Sequence, residues 1–263
     1  MNKIIEYYNN IYNENERLGQ NCDNRHLTEK MVKQHIINQY VSKGDTILEI
    51  GAGTGIHSIF LSKKGCNVSA CDIVPNHVNL IEENARANNV QIYASVQDAL
   101  KLDYENDAFD LVLLSGPVYH MHSYNDKEQA IREAKRVCKK NGIIIIDFLP
   151  KLHSFIQQVL RFPDFIKNLS NDDIENLECK DDMFSFDNKE DIIKLVEKCN
   201  LKVLDIISTD SITRFIRDKI NELDEENIEK WIKIVEKINK YNVVDLGEHA
   251  LIIVQNKVSD NNG

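Results

Sequence analysis

The chain has 263 residues, and its 42 acidic against 32 basic side chains give a formal net charge of −10. That length can bury a full α/β core. An acidic chain without a basic block gains little from neutralising phosphates, so a nucleic-acid partner is not expected. The opening run Met1-Asn2-Lys3-Ile4-Ile5-Glu6-Tyr7-Tyr8 lacks the apolar stretch of a signal peptide. The longest uncharged apolar stretch, Ile143 to Ile146, is far too short to span a bilayer. A cytoplasmic protein with no membrane association is the expectation. The six cysteines (Cys22, Cys66, Cys71, Cys138, Cys179, Cys199) form no C-x-x-C pair and match no zinc spacing, so reduced structural thiols and no metal site are expected.

In chain order, residues 28–41 read as a helix capped by Thr28, with Met31, Val32, His35, Ile36 and Tyr40 at helical spacing. Residues 46–50 read as a short buried strand that runs into Gly51, Gly53 and Gly55, and a helix begins at Ile56. A second strand over 67–71 ends at Asp72 and is followed by a helix over 76–87. Strands over 91–94 and 109–114 follow, the latter ending in Ser115-Gly116-Pro117. A helix over 126–139 then leads to 143–148, the plainest buried strand of the chain.

After Pro150 the alternation lapses. Leu152, Phe155, Ile156, Val159 and Leu160 keep helical spacing, and an acidic, loop-like stretch runs to Phe186. A helix over 188–199 and a strand over 201–207 resume the alternation. A second excursion over 209–243 holds a helix near 225–240, a last strand covers 249–255, and 258–263 reads as a disordered tail. Uniformly apolar strands alternating with helices predict a parallel sheet covered on both faces.

The segment Glu49-Ile50-Gly51-Ala52-Gly53-Thr54-Gly55 joins a strand to a helix through glycines, which lets a polar ligand approach the backbone at a helix N-terminus. The dinucleotide fingerprint needs a glycine at the sixth position, where this chain has Ile56. Glu49 beside the turn is misplaced for a pyrophosphate and suits a cationic or amino-bearing ligand. The same turn could also serve as a simple strand-to-helix joint with no ligand. Asp72, at the end of the second strand, can accept both hydroxyls of a ribose or cap the following helix, and Ile73 can pack on an adenine face.

Glu49 to Gly55 resembles the first motif of the class I S-adenosylmethionine-dependent methyltransferases. The resemblance implies a Rossmann-like, doubly wound α/β fold with a seven-stranded sheet whose last strand is antiparallel. It also implies S-adenosyl-L-methionine as cofactor, with the turn (Glu49, Gly51, Ala52, Gly53, Gly55) beside its methionine part. Asp98 would accept from the adenine amino group, with Ala99 beside the ring. Ser115, where the fourth strand ends, is counted among the cofactor contacts.

Ser115-Gly116-Pro117-Val118-Tyr119-His120 is similar to a Gly-Pro-x-Tyr-His segment of some small-molecule methyltransferases. It lacks the paired prolines of the base-modifying amino methyltransferases. His120 is the candidate general base and Tyr119 the candidate orienting residue, while His122 reads equally as a loop hydrogen-bonding group. The expected reaction is methyl transfer to nitrogen or oxygen of a small molecule. Methylation of a protein or peptide and a non-catalytic cofactor-binding module are the competing readings.

The cofactor core is expected over 28–150, 187–208 and 244–257. Residues 1–27, 151–186 and 209–243 would form a helical cap or, alternatively, extend the core on one flank. Tyr7, Tyr8, Ile11 and Tyr12 either close over the cofactor or form the apolar face of a packed helix. No motif specifies an oligomeric state.

Overall fold

The computed structural model describes residues 2–10, 17–18, 22–179 and 181–257. Its seven strands, β1 (Thr46–Ile50), β2 (Asn67–Asp72), β3 (Ile92–Val96), β4 (Phe109–Leu114), β5 (Cys138–Phe148), β6 (Lys202–Ser208) and β7 (Ala250–Gln255), form one sheet in the order β3-β2-β1-β4-β5-β7-β6. Strands β1 to β5 pair in parallel, and β7 runs antiparallel to both β5 and β6. The doubly wound sheet with an antiparallel last strand is therefore present as expected. Strand order reverses between β1 and β4, and a crevice opens outside the carboxyl ends of the strands at such a point.

The helices are α1 (Asn2–Asn10), α2 (Asn24–Ile37), α3 (Ile56–Lys63), α4 (Pro75–Ala87), α5 (Tyr124–Val137), α6 (Lys151–Arg161), α7 (Asn171–Asn176), α8 (Lys189–Lys198), α9 (Arg217–Asn221) and α10 (Glu225–Ile238). Helix α2 starts four residues before the expected Thr28, because the Asp23 carboxylate caps it by accepting the His26 N–H at 2.9 Å. Thr28 lies inside the helix and donates its hydroxyl to the Asn24 carbonyl. Helix α5 likewise starts early, behind Ser123, whose side chain accepts from the Asp126 N–H. Strand β3 runs two residues past the expected end because Val96 pairs with Asp72.

Alternate strand residues face opposite sides. On one side Leu48, Val112, Leu114, Ile144, Ile146 and Ile252 pack with Ala130, Ile131 and Ala134 of α5 and Ile192, Leu195 and Val196 of α8. On the other, Ile47, Leu111, Leu113, Ile145, Leu251 and Ile253 pack with Val32, Ile36 and Ile37 of α2 and Ile228, Ile232 and Val235 of α10. The long helix of the second excursion thus covers a sheet face, as core. The cysteines are free thiols. Among the described residues, no helix is long and apolar enough to cross a membrane. Ile11, Tyr12 and the tail 258–263 lie outside the described residues.

Candidate active site

The β1–α3 turn is shaped first by the chain itself. Gly51 has φ +74°, and a Cβ there would stand 2.4 Å from the Ser115 carbonyl oxygen and 2.6 Å from Pro117 Cδ. The ends of β1 and β4 approach so closely that the first glycine is required before any ligand arrives. Gly55 precedes α3 as its N-cap in the left-handed region, with no side chain capping the helix. The first amides of α3 therefore have no side-chain cap from that position.

Around this turn lies a cleft with about 680 Å³ of empty space, counting the part that opens to solvent. Of the residues singled out from sequence, Gly51, Gly53, Asp72, Ile73, Asp98, Ala99, Ser115, Tyr119 and His120 line it. Asp72 is 7% exposed. Its Oδ2 accepts the Gly53 N–H and its Oδ1 the Val74 N–H, both at 2.9 Å. One carboxylate thus ties the glycine turn to the end of β2, with His77 Nδ1 3.2 Å from its Oδ2, and keeps a further lone pair on Oδ1. Asp98 Oδ1 accepts the Leu100 N–H at 2.9 Å.

Glu49, Ala52 and Gly55 are not in this lining. The expectation that Glu49 meets a cationic ligand is corrected by its position. The side chain points into the interior at 1% exposure, and its Oε2 accepts the Ser58 hydroxyl at 2.5 Å. Burial pushes its pKa up to about 7, against the pull of the Lys33 ammonium. Ala52 packs with Ala70 and Ile81, and a Cβ on Gly55 would meet Ile81 at 3.2 Å, so both belong to the packing beneath the turn.

The sequence reading missed His77, Gln97 and Met121 in the same lining, which also includes Tyr8 from the N-terminal aromatic cluster. It also missed Lys33, a buried ammonium on α2 that donates to Ser115 Oγ at 3.0 Å and to Asp147 Oδ2 at 2.6 Å. A lysine between Val32 and Gln34 in an otherwise apolar-stripe helix was the available signal.

At His120, Nδ1 lies 2.9 Å from the Met183 carbonyl oxygen and Nε2 lies 2.9 Å from the Tyr8 hydroxyl. Phe184 stacks obliquely on the imidazole with centroids 5.1 Å apart. Tyr119 also packs beside it, its ring centroid 4.9 Å from that of His120 and 6.3 Å from that of Phe184. His122 is absent from the lining of this cleft.

A second cleft, with about 1090 Å³ of empty space, shares Tyr8 and Tyr119 with the first. One wall is a polar face of α6 (His153, Ser154, Gln157, Gln158, Arg161), at the spacing that places side chains on one side of a helix. Others are Arg17, Arg25 and His26, the aromatic Phe184 and Phe186, and Arg214 with Glu248 and His249. The second excursion therefore reaches the cleft through Arg214, while α10 stays on the sheet.

Asp210, Glu248 and His249 bring ligand-type atoms within 4.8 Å of one another. Most of those atoms are already engaged, His249 Nδ1 excepted. Arg25 donates to Glu248, Arg17 donates to His249 Nε2, and Asp210 accepts the amides of Glu248 and His249. Two guanidiniums at this triad oppose a metal cation.

Residues 47–142 match the family described as "Methyltransferase domain". A Streptomyces halstedii methyltransferase is 28% identical over 121 residues, covering 45% of this chain and 42% of that protein. The glycine/sarcosine N-methyltransferase of Parasynechococcus marenigrum is 33% identical over 104 residues, covering 39% of this chain and 37% of its own. The matched segments thus span less than half the length of these relatives. A solved structure from Thermotoga maritima, described as a possible histamine N-methyltransferase, superposes with a TM-score of 0.61 at 17% identity, covering 97% of this chain and 99% of that one. Residues 47–142 thus match a methyltransferase domain, and the sheet order and glycine turn around them have the fold of solved S-adenosylmethionine-dependent methyltransferases.

Proposed function

We propose that the chain transfers the methyl group of S-adenosyl-L-methionine to a nitrogen or oxygen of a small-molecule acceptor. The observation that carries this reading is the meeting of two clefts at Tyr8 and Tyr119. One has the shape and groups for the cofactor, and the other offers room for an acceptor beside it. A module that only bound cofactor would have no need of the second.

In this reading Gly51 and Gly53 lie beside the methionine part, and the Asp72 carboxylate takes the ribose hydroxyls. Ile73 packs on the adenine, Asp98 and Ala99 read its edge, and Ser115, held by Lys33, borders the reacting end. Residues 1–27 and 151–186 close the acceptor side as a cap, and of the second excursion only the stretch around Arg214 takes part.

The bound cofactor supplies an activated sulfonium methyl, so the protein's main task is to hold the acceptor in line with it. His120 and the Tyr8 hydroxyl can take the proton that an amine or hydroxyl must lose. Two of the relatives described above, the glycine/sarcosine and the possible histamine N-methyltransferase, are named for small acceptors, which agrees with a cleft rather than a flat docking face.

The test is incubation of the protein with tritiated-methyl cofactor and a cell extract separated by size. Label in the small-molecule fraction is expected. Label confined to protein would overturn this reading in favour of a protein acceptor.

A further inference from the structure

The second cleft is cationic in a chain whose net charge is −10. Arg17, Arg25, Arg161 and Arg214 line it against Glu248 and Asp181. Glu248 serves two guanidiniums at once, since it accepts from Arg25 and lies 3.7 Å from Arg214 Nε. One carboxylate between two guanidiniums leaves a positive charge uncompensated.

Arg214 is where that excess is concentrated. Its side chain is 9% exposed, and the long contact to Glu248 is its one ion pair among the described residues. No hydrogen bond from its guanidinium to a described residue accompanies it, and the side chain lines the cleft. A buried guanidinium in this state lacks the planar, two-oxygen partner that its fork geometry matches best. Arg161, at the mouth on α6, also has no ion pair among the described residues.

Nearby groups do not cancel the charge. Burial, with the nearby Glu248 and Glu29 carboxylates, holds the Asp210 carboxyl well above its ordinary range. Burial holds His153 and His249 below theirs, and in His249 the Arg17 guanidinium adds to it.

We infer that the acceptor is a small carboxylic acid, whose carboxylate is bound by Arg214 with Arg161 at the entrance while its nucleophilic atom reaches the junction at Tyr8 and Tyr119. The aromatic Phe184 and Phe186 provide an apolar wall for the body of such a molecule. This inference rests on the methyl-transfer reading of the site and adds the chemical class of the acceptor.

Benzoate and benzamide share a ring and differ in charge, which makes them suitable probes. The full chain saturated with S-adenosylhomocysteine is titrated with each by calorimetry, together with Arg214→Gln and Arg214→Lys. Benzoate is expected to bind the unsubstituted protein at least about tenfold more tightly than benzamide, the effect of one charge-assisted bidentate contact. Arg214→Gln should erase that preference, and Arg214→Lys should retain part of it. Equal binding of the two probes, or binding of neither to cofactor-saturated protein, overturns the carboxylate assignment without needing any variant. Failure of S-adenosylhomocysteine itself to bind would instead defeat the methyl-transfer reading.

Discussion

The Tyr8 hydroxyl stands 2.9 Å from His120 Nε2, while His120 Nδ1 stands 2.9 Å from the carbonyl oxygen of Met183. A carbonyl oxygen only accepts, so Nδ1 carries the ring proton and Nε2 receives the hydroxyl proton of Tyr8. Burial lowers the pKa of His120 against the smaller raising effects of the Met183 bond and the Asp72 charge, which keeps the imidazole neutral at neutral pH. The residue paired with His120 is thus Tyr8, from α1, and Tyr119 lies against the ring instead.

This pairing predicts that Tyr8→Phe and His120→Ala both slow turnover, the latter by about 100-fold, the ordinary scale of a lost general base. The base must be unprotonated, so its lowered pKa places the loss of activity on the acid side, below 6.5, with a plateau above. The pH profile of kcat measures this. An acid limb that survives in His120→Ala would assign the base elsewhere.

Glu49 gives a stability prediction. A carboxyl whose folded pKa is raised stabilises the fold fully below its unfolded value, near 4.5, and that contribution is lost as pH rises to about 7. Above pH 7 the buried charge remains uncompensated apart from Lys33 and the Ser58 hydroxyl. Glu49→Gln keeps an oxygen for Ser58 and removes the titration. The stability of the unsubstituted protein relative to Glu49→Gln should therefore fall between pH 4.5 and 7.5, by at most about 3 kcal/mol. Urea unfolding across this range measures it, and a pH-independent difference would show that Glu49 is not the titrating group.

Gly51→Ala should destabilise the fold directly. The new Cβ would sit 2.4 Å from the Ser115 carbonyl oxygen, in a backbone conformation with φ +74°. Strain of both kinds predicts a loss of about 2–4 kcal/mol, independent of cofactor. Unfolding midpoints measured without ligand test this. An unchanged midpoint combined with weakened cofactor binding would mean that the glycine serves only the ligand.

The sheet was legible because its strands are apolar on both faces, and the runs at 46–50, 109–114 and 143–148 show it without long-range information. The cleft beside the glycine turn was legible to the extent that Asp72, Asp98 and Ser115 sit at or just beyond successive strand ends. Glu49 was misjudged because strand alternation gives a side to each residue but no measure of depth, and Ser58 is nine residues away. The acceptor cleft was largely illegible. In α6 the apolar stripe drew attention, while the polar stripe His153, Ser154, Gln157, Gln158 and Arg161 is the one that faces the cleft. Arg17, Arg25, Arg214 and Glu248 converge only through tertiary packing, across separations of up to 231 residues. The second excursion looked like a cap because helical periodicity is the same whether a helix covers a ligand or a sheet, and α10 covers the sheet.

The cofactor site proposed above is the cleft ringed by Gly51, Gly53, Asp72 and Asp98. Calorimetric titration with S-adenosylhomocysteine tests it most directly, comparing the unsubstituted protein with Asp72→Asn. The account predicts a dissociation constant on the order of 10 μM, weakened by about 30- to 100-fold in Asp72→Asn through the loss of charge-assisted bonds to the ribose. No binding at about 1 mM ligand, or equal affinity in the two proteins, would contradict it.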